Sequence, residues 1–133
     1  CGHVLEDFTT LMNISDNCGI SSIVQSTSPG TLLALGSFIV SVAITDLSGN
    51  LSGCNFQVMI IDTVNPTIAC MSDQTVWPNA DCIYMLQDFT GLVATSDNCA
   101  VASVVQNPSA GAPLTVGIHL IELTVYDESN NHT

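Results

Sequence analysis

The stretch Val40-Ser41-Val42-Ala43-Ile44-Thr45 alternates apolar side chains with small or polar ones at a period of two residues. Such alternation is typical of a β-strand with one buried face, because successive side chains of a strand point to opposite sides. The segments Cys54–Ile60 and Ile121–Val125 alternate in the same way. No segment shows a convincing helical period of 3.6 residues. The sequence therefore predicts an all-β fold built from short antiparallel strands.

An internal repeat sets the domain organisation. Residues 1–52 align without a gap to residues 82–133, and 20 of the 52 aligned positions are identical. A repeat of this length indicates a tandem array of small domains rather than a solenoid. The chain is then out of phase with its own domains. We predict a partial module at 1–62 that lacks its first strand, a linker at 63–66, and a partial module at 67–133 that lacks its last strand.

Runs of Gly, Pro, Asn, Asp and Ser separate the alternating segments and predict turns between them. Short strands at regular spacing favour tandem immunoglobulin-like antiparallel β-sandwiches joined by a short linker. Pro66 would stiffen that linker. The predicted strands of one module, with the last one taken from the preceding copy, are 67–70, 82–88, 101–106, 113–116, 119–126 and 54–61.

The composition excludes several classes of function. The chain has twelve carboxylates, no Lys or Arg, and a formal net charge of −12. Without cations it cannot neutralise phosphates, so nucleic acids and anionic membrane surfaces are excluded as partners. No apolar run approaches the roughly 20 residues of a membrane span, so we expect no membrane insertion. The chain also lacks the common catalytic motifs, and we predict that it is not an enzyme.

At several segments the sequence resembles the hyalin-repeat (HYR) family of immunoglobulin-like domains. The matching segments are Pro66–Cys70, the turn Ser96-Asp97-Asn98-Cys99, Leu33–Gly36, Asp46–Asn50 and Cys54–Val58. The resemblance covers nearly the whole chain and implies extracellular, repetitive, adhesive or structural modules without catalysis. Long tandem arrays of this kind are similar to giant bacterial surface adhesins, including those of gliding Bacteroidetes.

Six cysteines without a CxxC pair favour disulfides in an oxidising, extracellular setting over a zinc site or reduced core thiols. Cys82 is placed at the start of one strand and Cys99 at the end of the following turn, so we predict a Cys82–Cys99 bridge. The repeat then predicts a Cys1–Cys18 bridge. Each would close a loop of about 17 residues, worth roughly 3 kcal/mol in the chain-entropy model. Cys54 and Cys70 would pair with partners outside this fragment, or remain free thiols.

One end of the predicted sandwich collects oxygen-bearing side chains. The start of strand 67–70, the turn between strands 82–88 and 101–106, and the turn after strand 119–126 share that end. Hard oxygen ligands suit Ca²⁺. The alternative is that these residues only make Asx turns and caps, which are common. The candidate ligands are Asp62, Asn65, Asp97, Asp127 and Asn130.

Short motifs predict modification and glycan-binding sites. Asp62-Thr63-Val64 is similar to a Bacteroidetes O-glycosylation motif, with Thr63 as the acceptor, and three N-glycan sequons begin at Asn13, Asn50 and Asn131. Plain polar loops are the alternative at each position. Trp77 beside Pro78 could form a platform for sugar stacking, or lie in the core or at its rim.

We therefore predict a structural repeat module of a long secreted or cell-surface fibre or adhesin, giving reach, stiffness and protease resistance. Its partners would be neighbouring modules of the same chain, filaments that self-associate, and surface glycans or proteins. The alternatives are a glycan-binding accessory module of a secreted enzyme, or a component of a phage or virion fibre.

Overall fold

The computed structural model describes all residues 1–133 and is all-β, with two short 3₁₀ turns as its helical elements. The chain divides into two compact units, Cys1–Ile61 and Asp62–Thr133. Each unit is an immunoglobulin-like arrangement of small antiparallel sheets, as the alternating sequence pattern predicts. No helix is long and apolar enough to cross a lipid bilayer.

The first unit contains a short two-stranded pair and a larger three-stranded sheet. In the pair, β1 lies antiparallel to β3, and in the sheet β4 lies between β2 and β5. The elements are β1 (His3–Val4), a 3₁₀ turn (Phe8–Leu11), β2 (Ile20–Gln25), β3 (Leu32–Leu33), β4 (Gly36–Asp46) and β5 (Leu51–Ile60).

The second unit contains three two-stranded antiparallel pairs. Strand β6 pairs with β8, β7 with β10, and β9 with β11. The elements are β6 (Thr67–Ala69), β7 (Ile83–Met85), a 3₁₀ turn (Thr90–Leu92), β8 (Ala94–Ser96), β9 (Val101–Asn107), β10 (Pro113–Thr115) and β11 (Glu122–Asp127).

The repeat seen in the sequence is also a repeat of structure. Strands β1 to β4 of the first unit correspond by position to β7, β9, β10 and β11 of the second. The first unit has no strand at residues 13–15, the positions that align with β8. Over the aligned residues, and apart from β8, the structure thus shows the same strand order in both units.

Two details differ from the sequence prediction. A strand, β8, lies where a turn was expected, and it pairs with β6 through Ala69↔Ala94 and Ile68↔Thr95. The predicted strand 119–126 begins only at Glu122. Its copy β4 begins much earlier, at Gly36, where it pairs with β5. Pairing with β5 keeps that part of β4 extended.

The core of each unit is small and follows the period-two pattern. In β4, Val40 and Val42 are 0% and 1% exposed, whereas Ile39, on the opposite face of the strand, is 71% exposed. Leu5 in the first unit and Leu86 in the second, which are aligned in the repeat, are both buried.

A buried glutamine ties each core to its 3₁₀ turn. The Gln25 side-chain oxygen accepts from the Phe8 N–H at 3.0 Å, and its amide donates to the carbonyls of Glu6 and Thr27. Gln106 repeats all three bonds with Phe89, Gln87 and Pro108. Every polar group of each buried amide therefore has a partner, as a core position requires.

Candidate metal centre

The Asp97 turn is built by its own carboxylate. Asp97 Oδ2 accepts from the N–H groups of Cys99 at 2.7 Å and Ala100 at 3.0 Å. The copy does the same, with Asp16 Oδ1 accepting from Cys18 and Gly19. These are Asx turns, in which a short carboxylate satisfies backbone donors that a tight turn leaves free. The turn uses one oxygen of Asp97 and leaves Oδ1 available.

Asp127 closes the turn that follows β11 and is 2% exposed. Its Oδ1 accepts from the N–H groups of Ser129 and Asn131, and its Oδ2 accepts from the Asn131 side-chain amide at 2.7 Å. The aligned Asp46 makes the same set of bonds in the first unit. There the Asn50 side-chain amide, helped by backbone N–H groups, holds the pKa of the Asp46 carboxyl below its usual value.

Asp62 comes from the segment before β6. Its Oδ1 accepts from the Val64 N–H at 3.1 Å and from the Asn98 side-chain amide at 3.2 Å. Its main-chain oxygen accepts from the Asn131 side-chain amide. Asn131 thus connects Asp62 to Asp127, and Asn98 connects Asp62 to the Asp97 turn.

The three carboxylates converge within the second unit. One oxygen each of Asp62, Asp97 and Asp127 lies within 4.8 Å of the others. Asp62 Oδ2 and Asp97 Oδ1 are buried and accept no hydrogen bond. Buried polar atoms in native proteins nearly always have a partner, and this chain has no Lys or Arg to supply one. The arrangement can therefore hold a hard cation, which oxygen ligands prefer.

The other two expected ligands are placed differently. Asn65 is exposed. Asn130 is also exposed and has a φ of 66°, in the turn where the copy has Gly49 with a φ of 87°. Asn tolerates this left-handed conformation better than most residues, which explains the exchange. Asn131 is the amide that binds the cluster. The alignment could have identified Asn131, since its copy Asn50 follows Asp46 at the same spacing.

The cysteines differ from the expected pairing. Cys18, Cys54, Cys70 and Cys82 are free, whereas Cys1 and Cys99 are disulfide-bonded. The bridges Cys1–Cys18 and Cys82–Cys99 are therefore not formed. The prediction placed Cys82 at the start of a strand, but β7 begins at Ile83. Cys82 instead lies exposed in the preceding turn with a φ of 60°. Pairing of Cys54 and Cys70 with outside partners stays a prediction.

The predicted glycosylation positions fall into two groups. Asn13 and Thr63 are exposed, and neither side chain takes part in the turns described above. The side-chain amides of Asn50 and Asn131 donate to Asp46 and Asp127. A glycan on either of these two amides would have to replace a bond that stabilises its turn. Glycosylation at all four positions stays a prediction.

Two tandem all-β units that share the same turn carboxylates and buried glutamine define a class of protein, the tandem immunoglobulin-like repeat modules. The chain belongs to the HYR domain family, whose model matches residues 4–60 and again 61–133. The family resemblance noted in the sequence is thus confirmed.

Relatives of the chain are bacterial adhesins. It is 28% identical over 112 residues to the serine-rich adhesin for platelets of Staphylococcus aureus, with the same figures for the versions from strains USA300 and N315. The match covers 78% of this chain but only 5% of each relative. These relatives give no support to a Bacteroidetes origin. No solved structure matches the chain.

Proposed function

We propose that this chain is a structural portion of a long secreted or cell-surface adhesin or fibre. The observation that carries the proposal is the tandem recurrence of one HYR unit, down to the bonds of its buried glutamine. Similarity to adhesins of much greater length supports a place within a long array. Its partners would be neighbouring modules and, at the cell surface, glycans or proteins.

Protease resistance would follow from composition. Enzymes that cleave after Lys or Arg have no site anywhere in the chain, folded or unfolded. The folded structure would then be needed for protection only against proteases that cleave after other residues. Digestion of the native and the urea-unfolded chain tests this. Trypsin should leave both intact, while chymotrypsin should cut the unfolded chain much faster than the native one. Equally rapid chymotryptic cleavage of the native chain would contradict a durable fold.

We further propose that Ca²⁺ binds the carboxylates of Asp62, Asp97 and Asp127. Two unit charges 4.8 Å apart repel by about 3 kcal/mol at an effective dielectric constant of about 20. A bound Ca²⁺ would replace this repulsion with attraction, and the two unpartnered oxygens would coordinate it. Because Ca²⁺ takes six to eight oxygens, water would complete the shell. The ion would join the turns after β8 and β11 to the segment before β6.

Calorimetric titration of the whole chain with CaCl₂, paired with melting curves in Ca²⁺ and in chelator, tests the metal site. Asp97→Asn should abolish the binding heat and the calcium-dependent rise in melting temperature. Asp16→Asn is the matched control, because it changes the equivalent Asx turn of the unit without an Asp62 counterpart, and it should keep both signals. The absence of binding heat together with identical melting curves would remove calcium from the proposal but leave the structural role intact.

A second candidate function, glycan binding, is favoured by one observation. Trp77 is 80% exposed, as a sugar-stacking platform must be. A glycan array probed with the chain and with Trp77→Ala distinguishes the two functions. Selective binding that disappears in Trp77→Ala supports a glycan-binding accessory module, and no selective binding supports a purely structural one.

A further inference from the structure

The three-stranded sheet of the first unit leaves one of its two faces uncovered. Val40 and Val42 of β4 are buried, so the residues that alternate with them point to the opposite side of the sheet. Residues directly opposite in neighbouring strands share a side. We call this side the outer face. By the register of the sheet it comprises the odd-numbered residues of 37–45 and 51–59, together with Ser22 and Val24.

The outer face carries no charged side chain. Residues 17–45 and 47–61 contain none, so Asp46, at the end of β4, is the sole carboxylate of the sheet and its turns. The other eleven of the twelve carboxylates fall in residues 1–16 and 62–133. Two molecules that each carry a net charge of −12 repel each other. On the outer face they can touch without bringing carboxylates together.

Large apolar side chains are exposed on the outer face. Val24, Ile39, Leu51 and Met59 are between 58% and 76% exposed. The positions between them are occupied by small or uncharged polar residues, which would let a second sheet approach to the usual spacing of about 10 Å. A sugar is a less suitable occupant, because the outer face has no aromatic side chain on which a sugar could stack.

The outer face is formed entirely within residues 20–60. Its three strands and the segments that connect them are continuous in the chain. The second unit has one strand before the repeat, β6, and this strand pairs with β8 in a sheet separate from that of β9 and β11. A strand of that kind would therefore not cover the face of a sheet built like that of β2, β4 and β5.

We propose that the outer face binds the outer face of a second copy of this chain, sheet against sheet, in a two-fold symmetric pair. A symmetric contact requires a surface that is complementary to itself, and an uncharged face meets this requirement where an acidic one does not. Strands rise about 3.4 Å per residue and lie about 4.8 Å apart, so the face measures about 30 by 14 Å. Two copies would bury on the order of 1,000 Å², the size of a weak and transient contact.

The inference goes beyond the proposed structural role, since it gives separate chains a way to associate side by side. In a longer array, which rests on the proposed function, repeated weak contacts would reinforce one another.

Sedimentation equilibrium of the whole chain tests the contact. The four free cysteines are replaced by Ser to prevent disulfides between molecules, and a chelator keeps the result independent of the calcium proposal. We expect a monomer–dimer equilibrium at chain concentrations up to about 1 mM. Dimerisation should strengthen from about 0.1 M to about 0.5 M NaCl, because salt screens the repulsion between the two negative molecules. A monomer throughout this range would overturn the proposal.

A matched pair of variants locates the contact. Gln57→Glu adds a carboxylate to the outer face, opposite Ile39, with almost no change of shape. It should weaken dimerisation at least about tenfold, because like charges then meet across the interface. Gln74→Glu adds the same charge at an exposed position of the second unit and should alter the dissociation constant by less than about twofold. Equal effects of the two variants would refute the proposed interface.

A second pair tests the apolar part of the outer face. Ile39→Glu should abolish dimerisation up to about 1 mM, whereas Leu32→Glu, at a similarly exposed position of β3, should leave it intact. Melting curves identify any variant that fails to fold. Nuclear magnetic resonance shifts that change with concentration should be confined to the outer face, and shifts centred elsewhere would contradict the proposal. Glycan-array binding that disappears in Gln57→Glu would assign the face to a sugar instead and would also overturn it.

Discussion

The buried glutamine of each unit gives the sharpest test of the fold. Gln106→Leu removes three hydrogen bonds, to Phe89, Gln87 and Pro108, while keeping a side chain of similar size. Each bond contributes about 1 kcal/mol net, and a buried N–H left without an acceptor costs about 1–3 kcal/mol more. The added apolar burial of leucine offsets about 1–2 kcal/mol. We therefore expect the unit to lose about 2–5 kcal/mol of its free energy of unfolding.

Hydrogen exchange read by mass spectrometry measures this loss separately in each unit. Gln106→Leu should lower protection in β9 and β11 and leave β2 and β4 unchanged. Gln25→Leu should do the reverse. A loss of this size corresponds to about 10–40 °C in melting temperature for a domain of this size.

The control is Gln74→Leu, which removes only an exposed bond from the Gln74 amide to the Ser72 carbonyl. It should change the free energy of unfolding by less than about 0.5 kcal/mol. If Gln106→Leu were no more destabilising than this control, the buried glutamine would not hold the 3₁₀ turn on the core, and the reasoning would fail.

Two further predictions concern the first unit. Bonds from Asn50 lower the pKa of Asp46 in the folded state, so the unfolded chain takes up this proton first. The stabilisation is therefore present above the unfolded pKa of about 4 and is lost as the pH falls through the lower folded value. Asp46→Asn should flatten that part of the stability–pH curve, and an unchanged slope would contradict the assignment. Val40→Ala should cost about 2 kcal/mol in urea unfolding, because it removes two buried methyl groups and leaves a cavity. Ile39→Ala, at an exposed position of the same strand, should cost less than about 0.5 kcal/mol.

Much of the fold could be predicted from local patterns. The alternation of Val40, Val42 and Ile44 identified a half-buried strand, and the repeat located its counterpart at Ile121–Val125. Strand β8 was missed, because a three-residue strand beside a turn has too little alternation to recognise. Cys82 was misplaced by one position: it lies in the turn before β7 and is not the first residue of a strand.

The candidate site could be predicted only in part, because only some of its residues have a recognisable local sequence context. Asp97 lies in the turn Ser96–Cys99 and Asp127 at the end of β11, each directly before turn residues, so their sequence context indicates Asx turns. Asp62 is distant in sequence, and only chain topology suggested that it would join them. The choice of Asn131 over Asn130 depends on which amide faces inward, and that depends on the left-handed conformation of Asn130.

The sequence by itself determined the class of fold, the repeat and its phase, because period-two alternation and self-similarity are properties of the order of residues. It also determined the absence of any Lys or Arg beside the twelve carboxylates. Only the tertiary structure decided that Asp62, Asp97 and Asp127 meet and that two of their oxygens lack partners. Such features depend on how distant segments pack, and packing among residues far apart in the chain has no local signature.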